Sequence, residues 1–140
     1  MTKQVNPMEV SNPGPIDIAI SGLRAQDRNM KVISSNVANA RSTDDGTGKP
    51  YRRLQTIFET EDDGIGGVSL AEIAADMSEL PRILKPGHPH ADAQGYVTMP
   101  NVDLPVEMIS LNVAARAYQA NAAVLKRYQR MVETTLELLR

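Results

Sequence analysis

The chain has 140 residues, fifteen basic against seventeen acidic, with no cysteine, no tryptophan, one phenylalanine and four tyrosines. That length holds one domain, or a smaller one with extended helices, and so few large aromatics favour seams of Ala, Leu, Val, Ile and Met over a thick core. The near balance of charge removes long-range attraction to nucleic acid or an anionic membrane, and a chain without cysteine can form neither disulfides nor thiolate zinc sites.

Residues 1–15, MTKQVNPMEVSNPGP, form a polar, proline-bearing lead with no apolar core of the kind a cleavable signal requires. A helix is expected to start behind it. Pro15 at a first helical position gives up an amide that would be orphaned anyway, and Asp17 faces the positive end of the helix dipole. From Ile16 the spacing of three and four runs through Ala19, Leu23, Gln26, Met30, Ile33, Val37 and Ala40, with Gln26 its one polar member. The helix should end near Ala40, because Ser34, Ser35, Asn36 and Asn39 compete for backbone hydrogen bonds and the residues 41–46 are turn chemistry.

The middle, 41–102, reads as loops and a small β-containing region. Residues 51–60, YRRLQTIFET, are rich in β-branched and aromatic types and put Leu54, Thr56 and Phe58 on one side of a strand. Asp62-Asp63-Gly64 makes a turn, and the neighbouring Glu61 does not complete a calcium loop. Two readings compete for the next stretch. Ser69-Leu70-Ala71-Glu72 fits a capping box ahead of a short helix, whereas Val68-Ser69-Leu70 after two glycines fits the return strand of a hairpin; the residues alone favour the helix. Pro81, Pro86, Gly87 and Pro89 are expected to bar regular structure until an extended run at 95–99. His88, His90 and Asp92 lack the helical spacing of a zinc site and bring no thiolate, so no metal is assigned. With no nucleophile-base pair, phosphate loop or nucleophile elbow either, the residues point to no catalysis and no cofactor.

The last third, 103–140, carries the strongest pattern. Behind the cap Asp103, spacings of three and four run without a slip through Met108, Leu111, Ala115, Tyr118, Ala122, Leu125, Gln129, Val132, Leu136 and Leu139. Such a seam suits a helix wrapped on a partner helix, and Glu107, Arg116, Lys126, Arg127, Arg130 and Glu133 exclude a membrane span. The matching seam of 16–40 is the natural partner, paired antiparallel. The expected fold is therefore mainly α, with terminal helices 16–40 and 103–140 as a coiled-coil core.

The run SSNVANARSTDDGTGKPYRRLQTIFE resembles the signature that follows the N-terminal helix of bacterial flagellar axial proteins, whose N-x-A-N core is here Asn36, Ala38 and Asn39. Further on, PGHPHADAQGYVTMPNVDLPVEMISL and ARAYQANAAVLKRYQRM resemble segments that set apart the proximal-rod family of the flagellar basal body. The resemblance covers Ile16 to the end, and it implies a non-enzymatic subunit of the rod, the tubular drive shaft and export channel. It implies export by the flagellar type III apparatus without a cleaved signal, and contacts with copies of itself, other rod proteins, the inner-membrane ring and components near the export gate. It also implies an extended 68–76, and that reading is preferred here over the capping-box helix. Family members open almost directly into the first helix, whereas this chain carries its lead ahead of it. On seam and resemblance together, the expected subunit-interface residues are Leu23, Met30, Ile33, Asn36, Val37, Asn39, Met108, Leu111, Ala115, Tyr118, Asn121, Leu125, Val132 and Leu136. The other reading of the seams is a soluble helical adaptor that binds one partner helix.

The histidine loop gives a direct test. Titration calorimetry with zinc or nickel should show no submicromolar binding; tight binding that disappears on changing His88 and His90 to alanine would contradict the assignment of no metal site.

Overall fold

A computed structural model of the chain describes residues 14–60 and 66–140. Most of the lead and the expected turn at 62–64 lie outside the described residues. The elements run α1 (Pro15–Ala38), β1 (Leu54–Thr60), β2 (Val68–Ala75), β3 (Arg82–Leu84), β4 (Tyr96–Thr98) and α2 (Leu104–Leu138). The fold is mainly α with a small β middle.

Both helices start where their caps dictate. Gly14 precedes Pro15, and its amide donates to Asp17 Oδ2 at 3.0 Å. Asp103 accepts from the Val106 amide at 3.1 Å, with Pro105 inside the tolerant first turn. α1 stops two residues before the expected Ala40. Asn39 takes over the last turn, its amide and its side-chain Nδ2 each donating to Ser35 O at 3.0 Å. At about 1.5 Å per residue the 35 residues of α2 extend roughly 50 Å.

α1 packs against both α2 and the β1–β2 hairpin. Asn36 near the end of α1 meets Glu107 near the start of α2, and Gly22 faces Asn121, so the two helices run antiparallel. Gly22 and Asn121 are in close contact: a Cβ at Gly22 would lie 2.8 Å from Asn121 Nδ2, so the Asn121 side chain would have to shift to admit it. The sheet is fastened to α1 by hydroxyls: the Val68 amide donates to Ser21 Oγ at 2.9 Å, and Thr56 Oγ1 donates to Asn29 Oδ1 at 2.8 Å.

β1 and β2 pair antiparallel, Leu54 opposite Ala75 and Thr60 opposite Val68, with an irregularity between Ile57 and Phe58. Two expectations need correction here, and one competition between readings is decided. Residues 51–53 precede the strand, because their side chains and amides are engaged in the junction described below. Val68–Ala75 is a strand, as the resemblance implied against its capping-box pattern; pairing with β1 outweighs a local cap. β3 forms within the stretch where prolines were expected to bar regular structure. Its flanking prolines, Pro81 and Pro86, lie outside the three strand residues, and Pro81 O still accepts the Met99 amide at 2.8 Å.

The apolar core is small. Among the described residues only Ala19, Ala25, Val32, Ile33, Val97 and Ala114 are buried hydrophobics. The contact face of α2 is also rotated from the expected seam. Leu111, Ala115, Ala122 and Leu125 are half-buried as expected, but the two fully covered positions are Glu107 and Ala114, Asn121 and Tyr128 are half-buried beside them, and Met108 and Gln129 are exposed. The covered face is thus turned toward Glu107, whose buried polar contact fixes the start of α2.

Gly22→Ala should therefore reduce swimming in cells that rely on this protein. Normally such a change in a helix interior gains about 1 kcal/mol of helix propensity. Adding Asn121→Ala should restore swimming relative to Gly22→Ala alone; independent effects of the two changes would show that the pair is not in contact.

Candidate functional site

The candidate site is a polar junction that joins the end of α1, the start of β1, the end of β2 and the start of α2. At its centre Asn36 and Glu107 are both fully buried. Asn36 uses its whole side chain: Nδ2 donates to Leu54 O at 2.8 Å and to Glu107 Oε2 at 3.0 Å, while Oδ1 accepts from the Leu54 amide and from Tyr51 Oη, each at 2.9 Å. Glu107 receives Arg53 Nε on its other oxygen at 2.6 Å. A carboxylate with two donors on it, one of them a guanidinium, tolerates burial that an isolated one would not.

A second ring surrounds this pair. The Arg53 amide donates to Asn101 Oδ1 at 2.8 Å, and Asn101 Nδ2 donates to Ser78 Oγ at 2.7 Å and Asp76 O at 3.1 Å. Arg52 spans Asp76 O and Ser78 O at 3.2 and 3.1 Å. The backbone N–H of Ser78, then its hydroxyl, holds the Asp76 carboxyl below the usual carboxylate range; Gln55 and the Arg53 guanidinium act the same way and partial desolvation opposes them. No side-chain polar atom buried among the described residues lacks a partner. Such an arrangement can clamp four segments together, and it has no group free to attack or to exchange a proton with a substrate.

The β3–β4 ribbon holds the histidines. Arg82 pairs with Asp92 and stands over the Tyr96 ring at 5.4 Å. The Asp92 carboxyl is held below its usual range chiefly by the Tyr96 amide, with Gln94 and Arg82 adding to it and desolvation opposing them. His90 Nδ1 lies 2.9 Å from Thr43 Oγ1, and His88 Nδ1 accepts the His90 amide at 3.2 Å. The loop after α1 is thereby tied to the ribbon.

Two family models match the chain: "Flagella basal body rod protein" over residues 16–44 and "Flagellar basal body rod FlgEFG protein C-terminal" over residues 93–138. They take in nearly all of both helices and, of the junction, Asn36, Asn101 and Glu107, whereas Tyr51, Arg53, Asp76 and Ser78 lie between the two matches. The flagellar basal-body rod protein FlgC of Salmonella typhimurium is 42% identical over 125 residues, which cover 87% of this chain and 93% of the relative. The chain belongs to the FlgC family. The FlgC proteins of Agrobacterium fabrum and Borreliella burgdorferi are 39% and 37% identical and cover 88% and 89% of this chain and 91% and 95% of their own lengths. The protein is thus a structural subunit of the flagellar basal-body rod and not an enzyme, which sets the adaptor reading aside.

The expected interface residues of this FlgC-family chain fall into three groups. Asn36 and Ile33 are buried within the subunit, and Asn36 is wholly engaged by its own chain. Leu23, Met30, Val37, Asn39, Leu111, Ala115, Asn121 and Leu125 are half-buried. Met108, Tyr118, Val132 and Leu136 are exposed. Glu107, Arg53, Tyr51 and Asn101 were not singled out from the sequence, although the family-like runs contain all four. The available signal was an acid in the first turns of α2 lying exactly one seam step, four residues, before Leu111.

Asn36→Ala leaves the Leu54 amide and carbonyl, Tyr51 Oη and Glu107 short of partners, and should lower stability by about 3–5 kcal/mol. Glu107→Gln should also destabilise, since an amide presents a donor where both partners are donors. Denaturant unfolding of the purified variants checks this. An Asn36→Ala midpoint equal to that of the unchanged protein would show that the junction does not hold the fold.

Proposed function

We propose that this subunit polymerises through its terminal helices, which pair as a coiled coil and line the tubular core, while the hairpin and ribbon face outward. The observation that carries this reading is the second face of α2. α1 covers one side only, and Met108, Ile109, Val113, Val124 and Met131 stand in water on the rest of the helix. Each such side chain contributes roughly 1.5–3 kcal/mol when a neighbour covers it. A rod is built from heterologous contacts between non-identical surfaces, and one subunit that leaves so much of its longest helix uncovered suits that architecture.

Under this reading Met108, Tyr118, Val132 and Leu136 meet neighbouring subunits directly. The half-buried members, among them Leu23, Met30 and Leu125, pack the pair and add their exposed edges to the contact. Family membership supports copies of itself and other rod proteins as neighbours, and we extend this to the inner-membrane ring and components near the export gate. The type III apparatus would deliver the chain without signal cleavage. Among the described residues no helix is long and apolar enough to cross a membrane, which agrees with a subunit held by protein contacts.

Val113→Asp separates this proposal from a self-contained helix pair. The site is 62% exposed, so the change costs the isolated subunit little, yet in a subunit contact it buries an unpaired charge. Cells carrying it as the sole copy should not swim. Normal swimming would remove the outer face of α2 from the interface.

A further inference from the structure

The loop after α1 carries Asp45 followed by Gly46, both exposed. In such a pair the next backbone nitrogen reaches the side-chain carboxyl most readily, because glycine has no side chain to hinder the approach and its backbone turns freely. The Gly46 nitrogen attacks Asp45 Cγ, and the hydroxyl of the protonated carboxyl leaves with the amide proton as water. A second water opens the resulting succinimide at the Asp45 α-carbonyl. The backbone then runs through Cβ and Cγ as an isoaspartate, longer by the Cβ carbon. We propose that the side chains of Asp44 and Thr47 shield the Asp45–Gly46 bond from this isomerisation.

Both reacting groups are engaged elsewhere. The Gly46 amide donates to Asp44 Oδ1 at 2.8 Å, and the same oxygen accepts the Gly48 amide at 2.9 Å. A negative charge on that oxygen opposes the loss of the amide proton that ring closure requires. The Asp45 carboxyl is turned the other way, its Oδ1 accepting from the Thr47 amide at 2.9 Å and from Thr47 Oγ1 at 2.6 Å. The Thr47 hydroxyl, then its amide, holds this carboxyl below the usual carboxylate range, with partial desolvation opposing them. The protonated form that reacts is therefore scarcer near neutral pH. The Asp45 amide closes the loop by donating to Lys49 O at 2.8 Å.

The shield matters because the loop is anchored at both ends. On one side Thr43 Oγ1 lies 2.9 Å from His90 Nδ1. On the other the Tyr51 amide donates to Ser42 O at 3.0 Å, and the Tyr51 hydroxyl donates to Asn36 Oδ1 at 2.9 Å. A backbone lengthened at Asp45 changes the span between these anchors and so pulls on the junction at Asn36. The second Asp-Gly pair of the sequence, Asp63 with Gly64, lies outside the described residues, and peptide mapping separates it from the first.

The test ages the purified full-length protein beside a synthetic peptide of residues 42–52, in which no fold holds the loop, at neutral pH over several weeks. Trypsin cleaves after Arg41 and Arg52 and spares Lys49 ahead of Pro50, so the protein releases the same peptide, and chromatography separates its isoaspartyl form. Each variant is compared with its own peptide. The expected result is conversion several-fold slower in the protein than in the peptide, with Asp44→Ala removing most of that difference and Thr47→Ala a smaller part. Thr43→Ala, which releases the loop from His90 and leaves the bonds of Asp44 and Thr47 in place, should keep the slow rate. Conversion as fast in the unchanged protein as in the peptide would overturn the proposal, as would unchanged slow rates in Asp44→Ala and Thr47→Ala. Equal acceleration by Thr43→Ala would also overturn it, since it would assign the protection to the stiffness of the whole loop.

Discussion

The contact between Asn36 and Glu107 joins residues 71 positions apart, and with the bonds of Asn36 to Leu54 it ties the end of α1, the start of β1 and the start of α2 to one another. Because Asn36 also holds both backbone groups of Leu54, one side chain fixes where α1 ends, where β1 begins and how α2 is rotated. An amide can do this and few other side chains can, since two donors and an acceptor oxygen with two lone pairs sit on one short arm. Asn39, three residues on, closes the helix with Ser35 and receives Ser42 Oγ at 3.1 Å. The two asparagines of the motif therefore have different tasks, one tertiary and one local.

A polar lock of this kind compensates for a core that is nearly absent. Among the described residues, two of the most deeply buried side chains are polar, and half of the buried apolar ones are alanines. Hydrophobic burial within such a chain is modest, while a network with every member satisfied specifies one geometry at little cost. This division suits a rod subunit. Its apolar groups are kept on the outside for neighbours, and its internal geometry is set by hydrogen bonds that do not compete for the same surface.

Much of this was legible in the sequence. Pro15, Asp17 and Asp103 announced the helix starts, and the two seams announced that the termini meet. The register was only partly legible: Leu111, Ala115, Ala122 and Leu125 are half-buried as the apolar seam predicts, but Met108 is exposed and Glu107, bonded to Asn36, takes the buried place at the start of α2. β2 was ambiguous from its residues alone, where a capping box competes, and the resemblance chose the strand; seven residues of cross-strand pairing outweigh the local cap. β3 was hidden by prolines that lie just outside it. Tyr51 and Arg53 read as strand residues because their aromatic and long side chains suit a sheet, whereas long-range partners hold them ahead of it.

The central claim is that the junction is internal to each subunit and leaves the outer face of α2 for its neighbours. A side-chain-resolution map of this protein within an intact basal body tests it most directly. The account predicts Asn36, Glu107 and Arg53 bonded within one chain in every copy, with Ile109, Val113, Val124 and Met131 covered by adjacent subunits. Asn36 bonded across a subunit boundary, or that face of α2 open to solvent in the assembled rod, would contradict it.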